Sequence, residues 1–216
     1  GLKVWLDLQK KLSRTKQWSI TKGVKDTKLT LSEGQTYAAQ YTVVVSQTST
    51  QDSGWTLAGN ANVNNPAGIA ATLTGVTVVV DGTIQAQVNC GVTFPHQLAA
   101  GTTLACAYTA ALPDASTRTV VATASTTGSV VGATDQRSFD LSSANVTWKD
   151  GCVAVYDTLM GKLGDVCYGD APKTFSYVYA IGPYAACGGY QVVNTAKFVT
   201  NDTGATGSAT ATVDID

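Results

Sequence analysis

Glutamate is almost missing from this chain of 216 residues: Glu33 is the only one, beside a single histidine, His96, and a single methionine, Met160. Helix surfaces draw heavily on Glu, Lys, Leu and Met, so this shortage argues against a helical protein. Charged residues make up 13% of the chain, about half the usual quarter. No run of 18 or more apolar residues occurs, which excludes a membrane-spanning helix, and the stretch from Gly1 shows no signal-peptide pattern. With one histidine and no C-x-x-C pair, a Cys/His metal site or a Cys–His nucleophile lacks its material. What is abundant instead is threonine, 32 residues, and glycine, 21. Thr, Val and Tyr suit half-buried strands, so the expected class is all-β.

The net charge of -1 conceals an asymmetry. Residues 1 to 28 carry Lys3, Lys10, Lys11, Arg14, Lys16, Lys22, Lys25 and Lys28 against Asp7 and Asp26, a net +6, and the remainder is net -7. A basic segment can serve nucleic acid, but here Leu2, Val4, Leu6 and Leu8 alternate with Lys3, Trp5, Asp7 and Gln9, the period of a strand with one buried face. A charged edge strand that resists aggregation accounts for the lysines, and no nucleic-acid partner is expected. Trp5 shares the parity of Lys3 and Asp7 and should face outward, which suggests a contact with another domain or chain.

Further β-rich runs cover 17 to 23, 35 to 46, 54 to 62, 69 to 80, 86 to 90, 102 to 111, 118 to 126 and 130 to 141, separated by turn signals such as Asn64-Asn65-Pro66, Asp81-Gly82 and Pro113-Asp114. A second series runs through 151 to 157, 163 to 168, 174 to 181, 189 to 200 and 207 to 215. Short punctuated strands without alternating helical patterns describe sandwiches, and the boundary is expected in Leu141-Ser142-Ser143, giving domains 1–143 and 144–216. The parallel between Arg118 to Asp135 and Val193 to Val213, each a strand, a Gly/Thr turn and a closing strand, points to duplication of one module. Of five cysteines, Cys90 ends one strand and Cys106 lies in the next long one, so the connection between them can fold back and close a disulfide. Disulfides, low charge and the sequons at Asn145 and Asn201 fit an extracellular setting, with both asparagines as possible glycosylation sites.

Trp18-Ser-Ile-Thr-Lys-Gly-Val, Tyr41-Thr-Val-Val-Val, Asp52-Ser-Gly-Trp-Thr-Leu-Ala-Gly, Asn65-Pro-Ala-Gly-Ile-Ala-Ala and the Cys90 to Cys106 stretch resemble the repeated Ig-like β-sandwich modules of large secreted and surface proteins of bacteria and some algae. Val153 to Asp157, Gly161-Lys-Leu-Gly, Ala171 to Tyr177 and Cys187-Gly-Gly-Tyr-Gln-Val-Val-Asn-Thr-Ala are similar to the module that often follows. The resemblance implies two tandem Ig-like β-sandwich domains that act as spacers, stalks or fibre-building units without a shared active site. It also implies a bridge between Cys152 and Cys187. A hairpin centred near Leu159-Met160 would instead place Cys152 opposite Cys167; the expectation adopted is Cys152 with Cys187, leaving Cys167 buried or bonded to a neighbouring subunit.

Little in the chain nominates chemistry. His96 sits in a turn-like Phe94-Pro95-His96-Gln97 and reads as a loop histidine. Asp165, Asp170, Asn201 and Asp202 offer oxygen ligands without EF-hand spacing, so solvated turn carboxylates are the expectation and no metal or cofactor is assigned. Trp18 and Trp55 lie in motifs that resemble the module core and are expected to be buried, while Trp148, just past the boundary, is expected to cement the two domains. The function expected is a non-enzymatic, secreted or surface structural protein without membrane insertion, self-associating head to tail as a filament subunit through Leu2, Val4, Trp5, Leu6 and Leu8. The alternatives are a carbohydrate-binding adhesin module, with aromatic and Asp/Asn groups converging on one face around a glycan ligand, and a monomeric spacer whose first strand folds back into its own sheet.

Overall fold

The computed structural model describes all 216 residues, and it is all-β. The strands are β1 (Lys3–Leu6), β2 (Gln9–Val24), β3 (Lys28–Leu29), β4 (Tyr37–Asn64), β5 (Ala71–Val80), β6 (Ile84–Gln85), β7 (Gln87–Asn89), β8 (His96–Leu98), β9 (Thr103–Ala111), β10 (Arg118–Thr127), β11 (Ala133–Phe139), β12 (Asn145–Lys149), β13 (Cys152–Asp157), β14 (Gly161–Cys167), β15 (Lys173–Ile181), β16 (Tyr190–Thr200) and β17 (Thr206–Ile215). The only helical element is a 3-10 turn, Tyr168–Asp170. No helix is long and apolar enough to cross a membrane.

The chain forms two compact units, but not in succession. The first comprises Gly1–Ser13 and Asp52–Thr147, the second Arg14–Gln51 and Trp148–Asp216. The expected division at residue 143 therefore needs correction: it lies close to the last crossing, at 147/148, but residues 14–51 belong to the second unit. The reason is strand length. One sandwich accommodates strands of roughly 3–10 residues, whereas β2 has 16 and β4 has 28. The polar run Ser46 to Gly54, expected to separate two strands, stays extended within β4, where the neighbouring β2 supplies its ladder partners.

In the first unit, β1, β4, β9 and β7 pair in one layer, and β11, β10, β5 and β6, with β8 against β5, form the other. Leu57, Ala61 and Val63 of β4 and Tyr108 of β9 pack in one core with Val76, Val78 and Val80 of β5 and Val120 and Ala122 of β10. These residues recur at every second position because alternate side chains of a strand share a face. Cys90 and Cys106 are joined, as expected, by a disulfide.

In the second unit, β2 and β15 flank the first half of β4, and β14, β13, β16, β17 and β3 form the opposing sheet. Two core clusters lie between the layers: Val43, Val45, Val153, Val155, Val166, Ala196 and Phe198 form one, and Ala39, Tyr41, Ile181, Ala211, Val213 and Ile215 the other. The predicted likeness of the two closing segments holds locally, since β10–β11 and β16–β17 are both antiparallel hairpins.

The second disulfide departs from expectation. Cys152 is bonded to Cys167, and Cys187 is free and exposed. β13 and β14 form a hairpin whose register sets Cys152 opposite Cys167, with their Cα atoms 4.0 Å apart.

Candidate functional site

The opening strand has the alternation read from its sequence. Leu2 and Leu6 are buried, Val4 and Leu8 half-buried against the same core, and Trp5 is 42% exposed. Its partner, however, lies inside the chain. Lys3 to Leu6 pair with Asn64 to Ala61 of β4. On the other side, Leu2 N donates to Val131 O at 2.8 Å and Leu6 N to Asp135 Oδ2 at 2.9 Å. Asp7 is held by Tyr108 Oη, which donates to its carbonyl at 2.6 Å. Gly59 passes so close that a Cβ there would lie 2.2 Å from Asp7 O, which is why glycine stands at that φ of 148°. Within the single chain, Leu2 and Leu6 are thus core residues of the first unit, Val4 and Leu8 pack against that core, and the strand's ladder partner is β4.

The second unit carries an open cleft of about 610 Å³ lined by Lys16, Trp148, Gly151, Tyr168, Asn201 and Asp202. Trp148 and Tyr168 are 54% and 59% exposed. Lys16 Nζ lies 4.5 Å from the Trp148 ring centre and 3.9 Å from that of Tyr168, and the Arg14 guanidinium stands 5.5 Å from Trp148. Two residues of the basic segment are therefore engaged with aromatic faces, an attraction that fixes the orientation of exposed rings.

Next to the cleft, Asp150 forms a carboxylate clasp with the turn that carries Asp202. Asp150, buried and at a φ of 57°, accepts bonds from Thr203 N at 2.8 Å, Thr203 Oγ1 at 2.5 Å and Asp202 N at 3.1 Å. Its own N donates to Asp202 Oδ2 at 2.6 Å. Burial by itself would raise the Asp150 pKa, but the bonds from Thr203 and Asp202 outweigh it and hold the carboxyl below its ordinary value. Trp18, half-buried, donates from Nε1 to Asp150 O at 2.8 Å, and Asn201 Oδ1 accepts from Cys152 N at 3.2 Å. Asn201 and Asp202 thus line the cleft beside two exposed aromatic rings.

Other sequence candidates are dispersed. Asp165 pairs with Lys162 at 3.0 Å, Asp170 lies in the 3-10 turn, and no group of three or more acidic, His or Cys side chains is arranged to hold a metal. His96 opens β8 opposite Leu73 instead of sitting in a loop. Trp55 is half-buried against the first core. Asn145 and Asn201 are both exposed.

Sequence reasoning missed Lys22, Asp157, Tyr177 and Asn194, which meet between the sheets of the second unit. A signal was present: Lys22 shares the parity of Trp18, Ile20 and Val24; Asp157 that of Val153 and Val155; Asn194 that of Ala196 and Phe198. Each is a polar residue on its strand's inward face. No protein-family model matches the chain, and no curated protein matches it.

Proposed function

We infer that this chain is a non-enzymatic structural segment of an extracellular surface protein, built of two Ig-like sandwiches and acting as a spacer. The observation that carries this reading is the first strand, which folds back into its own sheet with bonds on both sides. Two disulfides support an oxidising compartment, where such bonds persist. Light scattering on the purified full-length chain, across its accessible concentration range, should give the monomer mass. Concentration-dependent head-to-tail filaments would replace the spacer with a filament subunit.

A glycan-binding role is favoured by a separate observation, the convergence of Trp148, Tyr168, Asn201 and Asp202 on one open cleft. Exposed aromatic faces stack on pyranose rings while amide and carboxylate groups accept and donate to hydroxyls. Binding of the full chain to a glycan array, weakened about tenfold by Trp148→Ala (roughly 1.4 kcal/mol), is the expected result for this role. Array signals unchanged by the substitution would remove the cleft from consideration.

A further inference from the structure

In the second unit, Lys22 Nζ contacts Asp157 Oδ2, and both side chains are fully shielded from solvent. Lys22 comes from β2 in one sheet and Asp157 from the end of β13 in the other. Tyr177 of β15 bridges them: its hydroxyl accepts from Lys22 Nζ at 2.9 Å and donates to Asp157 Oδ2 at 2.5 Å. The other carboxylate oxygen, Oδ1, accepts from the backbone N–H groups of Leu159 and Met160 at 2.9 and 3.1 Å. Asn194, wholly buried, donates from Nδ2 to the Tyr177 hydroxyl at 2.6 Å and accepts at Oδ1 from Thr158 Oγ1 at 2.8 Å. The Lys22 ammonium also lies 5.1 and 5.4 Å from the ring centres of Tyr41 and Tyr177, which stack on each other.

The geometry points to a covalent modification: Lys22 and Asp157 condense into an intramolecular amide that ties the two sheets of the second unit together. Nζ attacks Cγ of Asp157, a C–N bond forms, and the C–Oδ2 bond breaks. Two protons leave the ammonium for Oδ2, one directly and one through the Tyr177 hydroxyl, which touches both atoms, so Oδ2 departs as water. Nothing is oxidised or reduced, and no co-reactant is required. As the tetrahedral centre forms, negative charge develops on Oδ1, where the N–H groups of Leu159 and Met160 already point, an arrangement that stabilises such an intermediate.

The surroundings favour the neutral product. Two charges removed from water bear a desolvation cost that a mutual contact does not always offset, and an amide carries neither charge. Burial, acting against the bond to Asp157, lowers the Lys22 pKa and so eases loss of the proton that blocks nucleophilic attack. Asp157 is assigned as the acyl partner in preference to Asn194, whose amide oxygen and nitrogen are taken by Thr158 and Tyr177.

The test is the intact mass of the full-length chain after disulfide reduction. A mass lower than the sequence mass by one water is expected, with a branched peptide joining the Lys22 and Asp157 segments after proteolysis. Lys22→Arg and Asp157→Ala should each restore the mass of their own sequence, and Tyr177→Phe should leave a slowly disappearing uncondensed fraction. An unmodified chain at its full sequence mass overturns the proposal. Loss of ammonia in place of water also overturns it, because the bond would then be to Asn194. If the variants fail to fold, the unaltered chain's mass and its branched peptide decide alone. The result is independent of the spacer and glycan readings, since it concerns bond formation within one unit.

Discussion

Asp150 shows how one carboxylate can organise a surface. It satisfies three donors from the β16–β17 turn and occupies a left-handed backbone position that Asp and Asn tolerate better than most residues. Removing it leaves those donors without their acceptor, and bonds to a charged group are worth roughly 1.5–3 kcal/mol each. Asp150→Ala should therefore destabilise the second unit by about 3 kcal/mol, read as a lowered melting temperature. The pH dependence has a definite sign. Because the folded pKa lies below the unfolded one, the stabilisation is complete above the ordinary carboxylate value and is lost as pH falls through the folded pKa. Asp150→Asn should flatten this part of the acid limb in melts recorded at stepped pH, and an unchanged limb would assign the acid sensitivity to other carboxylates.

At the scale of the element, β1 gives the clearest test. Leu6 is 4% exposed within the first core, and truncating such a leucine costs about 2–5 kcal/mol. Leu6→Ala should lower the melting temperature of the first unit while light scattering reports the same mass as before. The alternation that identified this strand was legible because a sheet's two faces meet different environments. Its destination was not: a strand supplied from within the chain and one supplied by a neighbour need the same residues. Most other strands were legible for the same reason, including β5, β9, β10, β16 and β17. The continuity of β4 was hidden because Ser46 to Gly54 is polar on both faces, a pattern that a loop and a solvated ladder share. The Trp148 cleft was partly legible, since Trp148 and Asn201-Asp202 could be named from the sequence, but Tyr168 was not singled out and their convergence depends on tertiary approach. The Cys152–Cys167 bridge follows from the simple hairpin, which the family resemblance had set aside. Lys22 was overlooked because it was counted with the other lysines of a basic segment, although its parity placed it inside.

For the whole molecule, the interleaved division makes a sharp prediction about fragments. Residues 144–216 taken alone lack β2, β3 and the part of β4 that belongs to the second unit, so Val153, Val155 and Phe198 lose Val43 and Val45 from their core. That fragment should be unfolded, with poorly dispersed amide NMR signals. Adding residues 14–51 as a separate peptide should restore dispersion; a well-dispersed spectrum from 144–216 alone would show that the second unit does not need them. The same interleaving imposes an order on synthesis. Residues 14–51 leave the ribosome before nearly all of the first unit, yet the strands that complete their sandwich begin only after Trp148. The first unit can close once residue 147 has emerged, while β2 and the leading half of β4 wait with their apolar faces uncovered. Two long polar-flanked strands are thus held open through most of translation, which makes the nascent chain most vulnerable to aggregation before its final third appears.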